Sequence, residues 1–553
     1  MLAHLFPMSK VAVADSFTDN DPFGFSAIVQ MDPELSSPEP FERYSRASIL
    51  AFVAVTLIFV CARVWRLTAA CLWFDEIFSV HAAEHSWSGL VKFVAADIIH
   101  PPFFYALLKV WMAIGGQSVL WMRLLPVLFG VAAIFPFALL CRELKLKPGE
   151  TNLALLLMAV SGFQIKYAQI LRMYTLLLFL SLFSIWLFLR FVRAQTGSRR
   201  ELWALTAINL LLVYTHYYGW VLVGLECLIV LFSQRRALVS FLISTGACVL
   251  AYVPWIYEVA ALRKSGGGLA QNIGWIDRPR VRDVVEFFVV FSKPFLFTQS
   301  NAERPYKPLT AWMVLGLIIV PIVVVSWRLL LNSNTRTTAW RLLTLAFAPV
   351  IFAIIFSWIF PYPIWGTRHL IISAGPFFIL AAIGILRLTP YWLRILALSL
   401  LGCWILLAGA IAVLRPAPIL TWCSWEGLVQ QAASRGTDRA MEVYAFEDLV
   451  AYHLWFAGTR VGPGALKVTV VKNLDGSRDD PFFLPRQFDE IKVAGPSQLN
   501  GENIWLAFRA RRWDETQPPV SVMKSMGYQQ GRIFSRTAQG EQSFLVEFRK
   551  TNQ

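Results

Sequence analysis

Charge is what this chain has least of. Of its 553 residues only 15% are Asp, Glu, Lys or Arg, against about a quarter in an ordinary soluble domain. Hydrophobic residues reach 57%, and the mean hydropathy is +0.55. So much apolar surface cannot fold into one water-soluble core, and a disordered or fibrous chain is excluded by the same balance. Cysteine is sparse: seven residues and no Cys-x-x-Cys pair, so neither a zinc-site spacing nor a disulfide-rich scaffold is suggested. Also missing are a Gly-x-Gly-x-x-Gly fingerprint, a Walker sequence, and an internal repeat of the kind many transporters carry. What these absences leave is an integral membrane protein.

The charge that is present is lopsided. Lys plus Arg number 50 and Asp plus Glu 35, a formal net charge of +15. The basic residues fall in short blocks between apolar runs, not on one soluble face, which excludes nucleic acid as a partner and fits a positive-inside bias. Eleven runs read as crossings of the bilayer: 48–67, 121–140, 152–165, 175–192, 202–215, 220–232, 238–255, 309–327, 342–360, 370–385 and 393–414. Several are shorter than the ~20 residues of a perpendicular helix, which burial against other helices tolerates. A twelfth run, "FFYALLKVWMAI" at 103–114, is short and carries Lys109. If it does not cross, the basic loops beginning at Cys141, Arg193, Ser233, Arg328 and Arg387 share a face with Arg43 and Arg46. If it crosses, all five break the positive-inside rule. It is therefore expected to be a juxtamembrane helix on the outer side.

The resulting organisation is an all-α polytopic membrane domain followed by a small α/β domain outside the membrane. Residues 1–45, with Asp15, Asp19, Asp21 and Asp32 among them, read as a flexible cytoplasmic tail and not a signal peptide. Residues 46–414 form the membrane domain, with outer loops at 68–120 and 258–308. Residues 415–553 change composition after Pro416 and Pro418. There "MEVYAF", "DLVAYHLWFAG", "LKVTVV" and "NIWLAFR" give a β-α-β pattern, and 531–549 reads as a terminal hairpin. The expected location is the cytoplasmic (inner) membrane, multi-pass, with the N-terminus cytoplasmic and the C-terminal domain periplasmic or extracellular. Cys71 and Cys423 then lie on the same outer side, where a bridge between them is open to them.

Five groups of polar residues gather on that outer side. "WFDE" places Asp75 and Glu76 just past the first crossing. Adjacent residues point about 100° apart on a helix, so one can act while the other orients. "HPPFFY" holds His100 at a helix start rigidified by Pro101 and Pro102, a position suited to an anion. "FQIKYAQILRMY" supplies Lys166, Arg172 and Tyr174 at a helix end, where an Arg near hydrocarbon is costly unless it works or snorkels. "THYYGW" supplies His216 and Tyr218, which an aromatic belt also explains, and "TRHLIISAGPF" supplies Arg368 and His369. Singly, each has a bland reading as a loop or interfacial residue. Together they describe an outward cavity with one carboxylate, several cations and histidines, and apolar walls. A ligand with a hydrocarbon tail, an anionic linkage and a polar head suits it; a polyprenyl-phosphate sugar is such a molecule.

In this order, "WFDE", "HPPFFY", "ILRMY", "THYYG" and "TRHLIISAGPF" resemble the C-type (GT-C) membrane glycosyltransferases, over residues 49–414. The likeness is to the bacterial branch related to protein O-mannosyltransferases and lipid A aminoarabinose transferases. The resemblance implies transfer of a sugar from a polyprenyl-phosphate donor to a hydroxyl of a glycan, glycolipid or protein acceptor; backside attack by that hydroxyl predicts inversion. It implies Asp75 as catalytic base with Glu76 beside it. His100 falls where relatives carry His-Pro-Pro or Lys-Pro-Pro near the donor phosphate, and Arg172 and Tyr174 match an Arg-Met-Tyr element. Arg368 matches a late Arg usually followed by Tyr; here His369 follows, a departure. No cofactor is required by this reading and no metal ligands are assigned, although more distant oligosaccharyltransferases use a divalent metal. The competing class is a transporter or flippase of lipid-linked sugars.

Overall fold

The computed structural model describes residues 45–193, 199–263, 276–295, 308–417, 420–434, 441–462, 464–472, 484–485, 488–499, 501–538 and 541–551. The expected N-terminal tail, much of the 258–308 loop and Pro418 lie outside these residues.

Each of the eleven expected crossings is helical. Among the described residues, eight helices are long and apolar enough to cross a membrane: Arg46–Val64, Val119–Glu143, Tyr174–Arg193, Arg235–Leu262, Pro308–Leu331, Ser333–Ile359, Thr367–Leu386 and Tyr391–Leu414. The other three, Pro148–Val160, Arg199–Thr215 and Tyr218–Ser233, have 13, 17 and 16 residues and fall short of that length. Burial divides the long helices into two kinds. Tyr174–Arg193 and Thr367–Leu386 are apolar all round and lie inside the bundle, as such helices must. Arg46–Val64 and Tyr391–Leu414 are mostly exposed, with faces such as Leu50, Leu57, Leu406 and Leu414 that only hydrocarbon would cover. The molecule is a multi-pass membrane protein.

The segment after the first crossing makes three short helices, Phe74–Glu84, Trp87–Asp97 and Phe103–Gly115. Phe74–Glu84 is fastened at both ends. Glu76, at its third position, reaches back to accept the Trp73 N–H at 2.8 Å. Lys109, from Phe103–Gly115, donates to the carbonyl oxygens of Ala83 and His85 at its other end.

The C-terminal part is a six-stranded sheet with helices. Its strands are β1 (Met441–Ala445), β2 (Leu466–Val471), β3 (Lys492–Ala494), β4 (Asn503–Ala510), β5 (Tyr528–Ala538) and β6 (Glu541–Lys550), in the order β3-β2-β1-β4-β6-β5. The first four are parallel, Val443 lying opposite both Val468 and Trp505; β6 pairs antiparallel with β4 and β5. Helix Asp448–Val461 is the β1–β2 crossover, and its buried face turns toward the membrane domain. Tyr452 meets Phe74 (ring centroids 5.0 Å) and hydrogen-bonds His81 Nδ1 at 3.1 Å, while Trp422 meets Trp73 edge-on at 5.3 Å. Cys71 and Cys423 are bonded across 352 positions, with Cα atoms 5.3 Å apart. The C-terminal domain is thereby clasped to helix Phe74–Glu84.

Candidate active site

Helix Phe74–Glu84 fixes where its two acidic residues point, and they point to different things. Glu76 is buried and saturated. Its two oxygens accept from Arg123 Nε and Nη2, each at 2.9 Å, and from the backbone N–H groups of Leu171 and Trp73 at 2.8 Å. Arg123 spends its remaining donors on the carbonyls of Leu67, Ala70 and Cys71. A carboxylate with this many charge-assisted bonds has no lone pair to offer a substrate. Glu76 therefore joins the helix, the chain before it and the Arg172 turn. The neighbouring Asp75 faces the other way. Its side chain is 27% exposed, and its Oδ2 lies 3.4 Å from Arg368 Nη1.

Arg172 is buried, and its donors radiate across the same space. Nη1 donates to the Asp75 carbonyl oxygen (3.1 Å), Ser79 Oγ (3.4 Å) and Tyr105 OH (3.1 Å); Nη2 donates to His100 Nδ1 (3.2 Å). Its Nε has no hydrogen-bond partner among the described residues. Tyr174 is buried beside it, its hydroxyl without a partner among the described residues. Lys166 is buried two turns earlier, its ammonium 5.4 Å from the Tyr167 ring.

The histidines come from three separate turns. His100 follows a left-handed residue, Ile98 (φ 67°), a conformation costly for a β-branched side chain. His216 precedes a turn so tight that a Cβ on Gly219 would meet the Leu212 carbonyl carbon at 2.9 Å, which is why "HYYG" ends in glycine. His369 packs over Gly366, where a Cβ would stand 2.6 Å from its Nδ1. Tyr218 OH donates to the Ile364 carbonyl at 2.8 Å and so holds the turn that leads into Arg368. The rings of His216 and His369 are 4.6 Å apart, those of His100 and His216 5.1 Å.

Ten residues proposed from sequence thus fall into two sets. Asp75, His100, Arg172, Tyr174, His216, Arg368 and His369 meet in one place, with Tyr218 and Lys166 beside it. Glu76 belongs to the wall. Sequence reading did not single out Ser79, Tyr105 or Arg123. Arg123 carried a signal, a lone arginine inside an apolar run.

Donor atoms of His100, His216 and His369 lie within 4.8 Å of one another, close enough to suggest a metal. The hydrogen bonds decide otherwise. Arg172 can only donate, so His100 Nδ1 accepts; the Tyr218 N–H donates to His216 Nδ1 at 3.0 Å, so that nitrogen accepts too. Both imidazoles are neutral. Burial, then Arg172 and the other histidines, holds His100 well below the usual range. Burial, then Arg368 and Arg172, lowers His216 to about 3. The proton of each ring is therefore on Nε2, and both Nε2 atoms are buried without a partner among the described residues. A ligating histidine has the reverse pattern, a bare nitrogen toward the metal and an N–H donated outward. With two guanidinium groups alongside, these residues fit an anion and do not fit a cation.

No protein-family model matches the chain, and no curated protein does. Solved structures do. The crystal structure of ArnT from Cupriavidus metallidurans bound to undecaprenyl phosphate superposes with a TM-score of 0.55 at 13% identity, over 91% of this chain and 98% of that one. Its apo form gives 0.53 at 14% identity over the same shares. The fold is that of ArnT. The expected GT-C architecture, a helical membrane domain with a small sheet domain behind it, is borne out by ArnT across nearly the whole chain. An archaeal oligosaccharyltransferase, AglB from Archaeoglobus fulgidus in complex with an inhibitory peptide and a dolichol-phosphate, matches 74% of this chain at 14% identity and a TM-score of 0.47. This chain spans 63% of AglB's length.

Proposed function

We propose that the protein is a membrane glycosyltransferase that moves a sugar from a polyprenyl-phosphate donor to an acceptor hydroxyl. One observation carries this: the carboxylate of Asp75 stands against Arg368 on the helix to which Arg172 is bonded, in the fold of a protein solved with undecaprenyl phosphate. Phosphate is a good leaving group, so the reaction needs a base for the acceptor hydroxyl and cations for the departing charge. Arg368 and Arg172 supply the cations, and the Nε2–H groups of His100 and His216 supply neutral donors. Before the donor enters, Arg368 faces Asp75. A phosphate competing for that guanidinium releases Asp75 to take the acceptor proton. Attack from the side opposite the phosphate inverts the anomeric carbon. Glu76 acts as a positioning residue in this reading, because its oxygens are engaged by Arg123 and the backbone.

The outer face is proposed as the working side. A bond between Cys71 and Cys423 forms and persists in an oxidising compartment, and Cys71 lies four residues from Asp75. That supports an inner-membrane protein with its C-terminal domain periplasmic or extracellular and its N-terminus cytoplasmic. The acceptor is a hydroxyl of a glycan, glycolipid or secreted protein.

The test is turnover of radiolabelled polyprenyl-phosphate sugars by purified protein in detergent, with glycan and lipid analysis of a deletion strain supplying the acceptor. Transfer releases free polyprenyl phosphate. Asp75→Asn is expected to abolish release while keeping donor binding. Undiminished turnover in Asp75→Asn removes Asp75 from the base role, and donor crossing the bilayer without release of polyprenyl phosphate makes the protein a flippase.

A further inference from the structure

Below the site, three polar side chains from three helices meet inside the bundle. They are Ser184 on Tyr174–Arg193, Asn209 on Arg199–Thr215 and Glu226 on Tyr218–Ser233, all buried. Ser184 Oγ lies 2.6 Å from Asn209 Oδ1 and 2.6 Å from Glu226 Oε1; Asn209 Nδ2 lies 2.9 Å from Glu226 Oε2. These are hydrogen-bond lengths, and each contact needs one proton between its two heavy atoms. Ser184 has one to give. The Asn209 amide nitrogen reaches only one of the three contacts. With an ionised Glu226 the third contact is two oxygens at hydrogen-bond distance with nothing between them. Exchanging the oxygen and nitrogen of the Asn209 amide reverses the direction of donation and leaves the count the same. No cation accompanies Glu226 in the ring.

We infer that Glu226 is a neutral carboxylic acid whose own O–H closes a three-residue hydrogen-bonded ring, and that the ring is a positioning device for the site above it. Glu226 donates to Ser184, Ser184 to Asn209, and Asn209 back to Glu226. Every member gives one bond and takes one, so no charge and no orphan is left in the apolar interior. The three helices it joins are those whose outer ends carry Arg172 and Tyr174, His216, and Tyr218. Ser184 is ten residues beyond Tyr174, Glu226 eight beyond Tyr218, and Asn209 seven before His216. At 1.5 Å per residue the ring sits roughly 10–15 Å beneath the cluster. It fixes the axial register of the three helices, and register sets whether the His216, Tyr218 and Arg172 donors converge. Part of this inference, the link to turnover, rests on the proposed transferase activity; the proton on Glu226 does not.

The experiment has two readouts on full-length protein. The first is infrared difference spectroscopy of wild type against Glu226→Gln in lipid at neutral pH. A carboxylic acid C=O band present in wild type and missing from the variant is expected; carboxylate bands in its place overturn the neutral acid. The second compares Glu226→Gln with Glu226→Leu and Asn209→Leu. Glutamine can close the same ring through its amide. It is expected to keep donor KM and kcat within about twofold, whereas the two leucine variants, if folded, lose about tenfold or more in kcat/KM through misplaced site residues. Glutamine failing as badly as leucine, or leucine matching wild type, overturns the positioning role. Should wild type show no transferase activity, binding of a short-chain polyprenyl phosphate replaces turnover as the site readout. The infrared result then stands or falls independently of the enzymatic reading.

Discussion

Asp75 and Arg368 illustrate how much a single contact settles. On the proposed reading, removing the guanidinium in Arg368→Ala leaves Asp75 without its partner and takes one of two cations from the donor phosphate, so donor KM should rise and kcat fall together. The histidines give a sharper test. If His100 and His216 serve as N–H donors, glutamine should replace them with little loss, while leucine should cost about tenfold in donor affinity, the scale of one buried hydrogen bond to a charged group. A metal site would fail in both variants. Cobalt(II) added to the protein should give no tetrahedral visible spectrum, and a spectrum lost on any single His→Gln change would make the trio a metal centre. The residues meeting here were legible because their motifs lie at helix ends on one face, where order along the chain translates into proximity. Arg123 and Glu226 were passed over for the opposite reason. Each is one charged letter in an apolar run, and sequence gives the cost of burying it without giving the partner that offsets it.

At the scale of the element, helix Phe74–Glu84 is held by what its acidic neighbour does out of the reactants' reach. Losing one side of the buried Glu76–Arg123 pair strands the other charge, a cost of about 3–5 kcal/mol. Glu76→Leu and Arg123→Leu should therefore lower the unfolding midpoint in detergent sharply, in contrast to Asp75→Asn, whose carboxylate is partly in water. The helices themselves were read well from hydropathy, each expected crossing falling on helical residues. Strand β3 was not read, because three residues carry no alternation to detect. The packing of helix Asp448–Val461 on Phe74–Glu84 was equally hidden, since an apolar face on a crossover helix does not reveal its partner.

On the scale of the whole molecule, the clasp between domains has a sign in pH. His81 is lowered to about 3 by burial and then by His85, and His453, at the same contact, to about 4 by burial. Both start from 6.5 in the open chain, so the closed form favours their neutral state. Their contribution is complete above pH 6.5 and is lost progressively as the pH falls below it toward the folded values. Limited proteolysis should accordingly release the C-terminal domain faster as pH drops from about 7 to about 5. Reduction of Cys71–Cys423 should accelerate release at either pH, and Cys423→Ser should match the reduced wild type. The contact between Asp75 and Arg368 reaches further still. In the proposed topology eight helices cross the bilayer between these two residues, from Val119–Glu143 to Ser333–Ile359. A translocon that skipped one of them would deliver the arginine to the opposite leaflet, leaving an intact polypeptide with half of the proposed site on each side. Turnover, on the proposed reading, is also a readout of faithful insertion.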